Sequence, residues 1–150
     1  GAGVHFAGVC GAEGVQHVLD MPTHEITVAK KKRRIVDIYT LARWVDFNRG
    51  GIASEVLEDV GARPTDGAIQ AFKFGQCRGI VEGIIAANLI PIRYVRPNVW
   101  KAALGLTGDK DESRRQASQL FPAAVHHWPL KKHDGRAEAA LLAYYGRRFT

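Results

Sequence analysis

The sequence predicts a single α/β domain over residues 1–150, with a mixed central sheet flanked by helices on both faces. Three observations carry this reading. Short apolar or alternating runs are grouped at the start of the chain, as strands are. Strand-like runs then alternate with helix-like periodicity, the pattern of sheets covered by helices. A length of 150 residues suffices for one substantial core and is short for two.

Taken in order, Val4 to Val9 and Gly14 to Leu19 read as two strands joined through the turn Cys10-Gly11-Ala12-Glu13-Gly14, since glycines permit the backbone reversal. The basic run Lys30 to Arg34 follows, and Ile35, Ile38, Leu41, Ala42 and Val45 then recur at three- and four-residue spacing, which predicts an amphipathic helix. Ile52 to Leu57 reads as a buried strand that ends in Glu58 and Asp59. A long helix is predicted from Gly67 to Asn88, with Ala71, Gly75, Gly79, Gly83 and Ala87 at a constant spacing of four. Glycine costs about 1 kcal/mol in a helix interior, so this stripe calls for a close neighbour: the domain's own sheet or a second copy of the chain. Ile90 to Val95 is a further strand, Pro97 opens a short helix, and Asp109 to Leu120 and Asp134 to Arg148 are the last helices. The connection from Pro122 to His133 is the one long irregular segment, and long loops are where function concentrates.

Lys and Arg number 21 against 15 Asp and Glu, for a net charge of +6 and a pI near 9.6. That balance favours an anionic partner such as nucleic acid. Cys10 and Cys77 are far apart and outside any Cys-x-x-Cys pattern, so neither a disulfide framework nor a thiolate zinc site is indicated and a reducing cytoplasm is expected. The longest nearly apolar stretch, Ile84 to Ile92, is interrupted by Asn88 and Pro91 and falls short of the roughly 20 residues needed to cross a bilayer. No membrane association is expected.

Three carboxylates stand out by position. Glu58 ends the central apolar strand, while Asp134 and Glu138 are four apart at the start of the final helix and share a face, separated by about 6 Å of rise. An acid in a first helical turn also complements the helix dipole, which is a sufficient reason for Asp134. Glu138 lies between Ala137 and Ala139 on a helix patterned for burial, where an unpartnered charge is costly. Three such carboxylates brought together would raise one another's pKa unless a cation sat among them. Hard oxygen donors of this kind suit magnesium. His126, His127 and His133 are also clustered, but two adjacent histidines without a thiol make a poor zinc site.

At these residues the sequence resembles the RuvC-type Holliday junction resolvases encoded by phages and prophages, within the RNase H-like superfamily. The resemblance spans most of the chain. It rests on Leu19-Asp20-Met21-Pro22-Thr23, Glu55-Val56-Leu57-Glu58, Phe72-Lys73-Phe74-Gly75 with Gly79, Pro97 with Trp100-Lys101, Leu120-Phe121-Pro122, and above all Asp134-Gly135-Arg136-Ala137-Glu138-Ala139.

The resemblance implies an RNase H-like fold, a homodimer in the cytoplasm of a prokaryotic host, and magnesium-dependent cleavage of four-way DNA junctions in recombination and repair, with manganese as a substitute. It makes Glu58, Asp134 and Glu138 the metal ligands and catalytic carboxylates. Lys73, Arg78, Lys101, Lys110 and Arg114 would meet backbone phosphates, and His133 would tune Asp134 or touch the scissile phosphate. The family's first catalytic Asp stands on an opening strand, whereas here no Asp precedes Asp20, itself a poor substitute. We read the opening strand as truncated. The alternatives are a junction-binding protein without activity and an RNase H-like nuclease for another branched or hybrid substrate. The run Lys30 to Arg34 is expected to strengthen DNA binding by counterion release, unless it is simply a solvated loop.

Overall fold

The computed structural model describes residues 5–9 and 14–149. The expected turn at Cys10 to Glu13 and the strand start at Val4 lie outside them. The chain divides into two compact units, Gly1–Met21 with Tyr94–Thr150 and, between these segments, Pro22–Arg93. No helix among the described residues is long and apolar enough to cross a membrane.

The first unit opens with β1 (His5–Val9) and β2 (Val15–Asp20), which pair antiparallel from His5 opposite Asp20 to Val9 opposite Val15, with a register shift at Gly8 and Val9. The remainder of this unit is helical. In chain order below, α3 is Pro97–Ala103, α4 is Lys110–Leu120 and α5 is Asp134–Arg148. Pro97 stands in the first turn of α3, where its missing N–H costs nothing. Asp109 caps α4 by accepting from the Asp111 N–H at 3.0 Å. Helix α5 packs against β1 and α4, presenting Ala137, Ala140 and Leu141 with no exposed surface.

Those three residues join Trp100, Ala117, Phe121, Ala124 and Trp128 in one buried cluster. The segment expected to be a long functional loop is therefore partly core. It is built as two short 3-10 turns, Pro122–His127 and Lys131–His133, and it inserts Ala124 and Trp128 into the interior. The Trp128 indole N–H donates to Ser118 Oγ at 3.0 Å, so its one polar atom is satisfied.

The second unit begins with β3 (Thr23–Val28) and β4 (Lys31–Val36), an antiparallel hairpin in which Val28 faces Lys31 across a two-residue turn. Ala29 and Lys30 have φ of 49° and 63°, the positive values that a tight hairpin of matching twist requires. The basic run thus forms a strand, and Ile35 belongs to it. Helix α1 (Ile38–Asn48) starts three residues later than the periodicity indicates because Asp37 caps it, accepting from the Thr40 N–H at 3.0 Å. That bond, joined by one from the Thr40 hydroxyl to Asp37 Oδ2 at 2.7 Å, holds the Asp37 carboxyl below the usual carboxylate range.

A 3-10 turn, Arg49–Gly51, leads to β5 (Glu55–Glu58), which is shorter than the apolar run. Helix α2 (Ala68–Ala87) buries Val81 and Ile85. At its end the Arg49 guanidinium donates to the carbonyls of Asn88 at 2.6 Å and Leu89 at 3.4 Å, and to that of Ile52 at 3.1 Å. A cation over terminal carbonyls complements both their lone pairs and the helix dipole. Among the described residues, a Cβ built on Gly75, Gly79 or Gly83 meets nothing within 4 Å, so the close intramolecular packing offered for the stripe is not what these glycines serve. Strand β6 (Ile92–Val95) returns the chain to the first unit.

The fold is α/β, as predicted. Its strands form three two-stranded ladders among the described residues, β1 with β2, β3 with β4, and β5 with β6, where a single mixed central sheet was expected.

Candidate active site

Helices α3, α4 and α5 of the first unit meet at Glu138. Its Oε1 accepts from Lys101 Nζ at 3.1 Å and lies 3.4 Å from Ser113 Oγ. Ser113 is only 3% exposed, so a hydroxyl deep in the unit is directed at a carboxylate. The arrangement follows from local sequence. Ala137 and Ala140 seat α5 against its neighbours, which leaves the intervening Glu138 half-buried beside α3 and α4. The Lys101 ammonium also stands 5.4 Å from the centre of the Trp100 ring, within range of a cation–π contact.

Asp134 lies one turn before Glu138, in the first turn of α5, and is half-buried. Arg136, between them, makes a two-pronged contact with Asp20: Nε to Oδ1 at 2.9 Å and Nη2 to Oδ2 at 2.8 Å. Its Nη1 donates to the His127 carbonyl at 3.0 Å. One guanidinium therefore ties the start of α5 to the end of β2 and to the turn Pro122–His127, and its bonds to Asp20 raise its pKa. Asp20 is thus engaged in a fork of the strongest geometry available to Arg.

His133 is half-buried and accepts at Nδ1 from the Leu130 N–H at 3.1 Å, which leaves the ring hydrogen on Nε2. Burial, then Arg136 and Lys132, lower its pKa, favouring the neutral ring. Burial, followed by His126 and Arg136, lowers that of His127 as well.

Arg114 of α4 donates to the carbonyls of Trp128 at 3.2 Å and Pro129 at 2.9 Å. Its guanidinium supports the turn that buries Trp128. Lys110 begins the same helix.

In the second unit, Glu58 is the last residue of β5 and is half-buried. The chain just beyond it is pinned by Arg78 of α2, which donates to the Val60 carbonyl at 2.6 Å and pairs with Glu82 at 2.6 Å and Asp59 at 3.5 Å. Glu82 first and Asp59 second raise the pKa of Arg78. Lys73, one turn from the start of α2, is exposed. Glu55, three residues before Glu58, carries a carboxyl whose pKa burial pushes up to about 7.

The predicted carboxylates are thus distributed over both units, Glu58 in one and Asp134 with Glu138 in the other. Among the described residues no three His, Cys, Asp or Glu side chains form a group that could hold a metal ion. The donors themselves are hard oxygens of the kind a divalent cation prefers, and Glu138 already draws a cation, the Lys101 ammonium. Sequence reasoning missed Ser113, and named Arg136 and Glu55 only within longer motifs, with no role of their own. Arg136 and Ser113 act on partners 116 and 25 residues away, beyond any local pattern, whereas Glu55 has a signal in its place within an apolar strand.

No protein-family model matches the chain, and no curated protein matches it either. Among solved structures, it is similar to T. thermophilus RuvC in complex with Holliday junction substrate, with a TM-score of 0.59 and 12% identity over 97% of this chain and 96% of that one. This likeness shows that the chain has a RuvC-like, RNase H-like fold.

Proposed function

We propose that this chain is a structure-specific DNA endonuclease of one nuclease domain, phage- or prophage-encoded and acting in the host cytoplasm as a homodimer, which resolves four-way junctions by metal-dependent phosphodiester hydrolysis. The observation that carries the reading is the RuvC-like fold over 97% of the chain, with Glu138 set among Lys101, Ser113 and the start of α5. The neighbour of that fold is bound to a Holliday junction. The uncovered glycine side of α2 supports association of two copies, since small residues let backbones approach.

Glu58, Asp134 and Glu138 would hold magnesium, or manganese in its place. A cation held there would lower the pKa of a bound water and offset charge on the phosphate oxygens. The protein's own part is orientation. Ser113 fixes the rotamer of Glu138, Arg78 holds the chain after Glu58, and Arg136 locks α5 against β2. Lys73, Lys101 and Lys110 would meet phosphates, as would Arg78 and Arg114 once their present partners are exchanged. His133, neutral and hydrogen-bearing at Nε2, would act beside Asp134, and His133→Ala should lower turnover without preventing folding.

The test is cleavage of a synthetic four-way junction with magnesium and with chelator, comparing the chain with Glu58→Gln. Symmetric incisions that need the metal and vanish in the variant would support the reading. Tight junction binding without cleavage would favour a second one, a junction-binding protein without activity, to which the Lys101 ammonium standing against the Glu138 carboxylate lends weight. Cleavage of a hybrid or flap in place of the junction would redirect the substrate, because a fold does not fix one.

A further inference from the structure

The β3–β4 hairpin is exposed along nearly its whole length, on both faces. A lone two-stranded ribbon has too little burial to be stable by itself, so its composition shows what it is suited to meet. The register sorts its side chains into two faces, because residues directly opposite each other point the same way. One face carries Thr23, Glu25, Thr27, Lys32, Arg34 and Val36; the other carries His24, Ile26, Val28, Lys31, Arg33 and Ile35.

These faces differ in charge. On the first, Lys32 pairs with Glu25 at 3.5 Å, and Glu25 stands directly opposite Arg34, so one of its two positive charges is offset. The second has two cations and no acid, laid over apolar side chains that include Val28 at 42% and Ile35 at 38% exposure. Lys31 and Arg33 are two residues apart, hence about 7 Å along the strand, which is about two steps of base-pair rise. A two-stranded ribbon also has the cross-section that a major groove about 12 Å wide admits.

We propose that the β3–β4 ribbon of the second unit is a duplex-DNA contact, with the Lys31 and Arg33 face against the sugar-phosphate backbone of a DNA arm. The inference rests on the proposed DNA-directed function for its choice of polymer, and adds to it a named surface that meets the polymer. The two cations neutralise phosphates, and Val28 and Ile35 cover sugar carbons beside them. A competing account is that the lysines only guard ribbon edges against pairing with other chains. That account predicts a change in self-association and none in DNA affinity.

The experiment measures binding of a four-way junction and of a linear duplex by fluorescence anisotropy across a salt series without magnesium, and then cleavage of the junction with magnesium added. It compares the wild-type chain, Lys31→Gln/Arg33→Gln, Lys32→Gln/Arg34→Gln and Glu58→Gln, with circular dichroism to verify folding. Loss of two phosphate contacts should reduce the slope of log affinity against log salt by about 1.8. The expected result is that reduction for Lys31→Gln/Arg33→Gln on both DNAs, and a smaller one for Lys32→Gln/Arg34→Gln. An unchanged slope in Lys31→Gln/Arg33→Gln, with or without altered self-association, would overturn the ribbon proposal and leave junction cleavage standing. A ribbon-dependent slope without cleavage by any version would keep the proposal and remove the nuclease reading, whereas a wild-type chain that binds neither DNA would overturn both.

Discussion

Lys101 Nζ stands 3.1 Å from Glu138 Oε1, with both side chains close to 30% exposed, so the acid expected to bind a divalent cation is already matched with a monovalent one. A partly exposed pair of this kind is worth about 0.5–1 kcal/mol. Replacing Lys101 by Met should free the carboxylate, and the magnesium concentration for half-maximal binding should fall by about two- to fivefold. Magnesium titration followed by tryptophan fluorescence measures this directly. An unchanged or weaker affinity would mean that Lys101 does not compete with the metal.

The Arg136 fork predicts a stability effect that charge alone would not give. Arg136→Ala removes two bonds to Asp20 and one to the His127 carbonyl, and should cost about 1–3 kcal/mol, read as a lower midpoint in urea. Arg136→Lys should recover only part, since an ammonium cannot make the fork. A double-mutant cycle with Asp20→Asn should give a coupling of about 1 kcal/mol; additivity would place the stabilisation elsewhere.

Glu55 sets a pH dependence with a definite sign. Its folded pKa, raised by burial from 4.5 to about 7, means that the folded state holds a proton which the unfolded chain has lost. Its contribution is fully present below pH 4.5 and disappears as pH rises through 7, at a steepest slope on the order of 1.4 kcal/mol per pH unit. Glu55→Gln should abolish that slope in urea unfolding measured from pH 5 to 7.5. His127 runs the other way: with its folded pKa lowered by burial, stability is lost as pH falls below about 6.5, and this limb should persist in Glu55→Gln.

Trp128 is the test of whether the segment after α4 is core. It is 1% exposed and hydrogen-bonded to Ser118, so Trp128→Ala should cost about 3–5 kcal/mol. Trp128→Phe should cost less while leaving the Ser118 hydroxyl without its donor. A loss under 1 kcal/mol for the alanine variant would show the segment to be a surface loop after all.

What was legible in the sequence follows physical rules that act locally. Pro97, Asp109 and the alanines of α5 mark helix starts and a buried face with neighbours only a few residues away, and α3, α4 and α5 form where those marks stand. The β3–β4 hairpin was illegible because its turn places Ala29 and Lys30 at positive φ, where glycine or asparagine would normally announce the reversal. Its strands lack apolar alternation because both faces meet solvent. Ile35 then fell by accident on the helical spacing of Ile38 and Leu41. For the site, Glu138 was visible as an acid between two alanines. Lys101 and Ser113 were not visible as its partners, since only the packing of three helices brings them within reach.

Ala137, Ala140 and Leu141 leave α5 with no free surface on the side that carries them. Such a helix behaves like a toothed bar in a fitted slot: it cannot turn or advance by part of a step without driving methyl groups into its neighbours. The reach of Glu138 is therefore adjustable only within its own side chain. Shortening it to Asp withdraws the carboxylate by one methylene from Lys101 and Ser113, and the backbone can follow only by disturbing that packing.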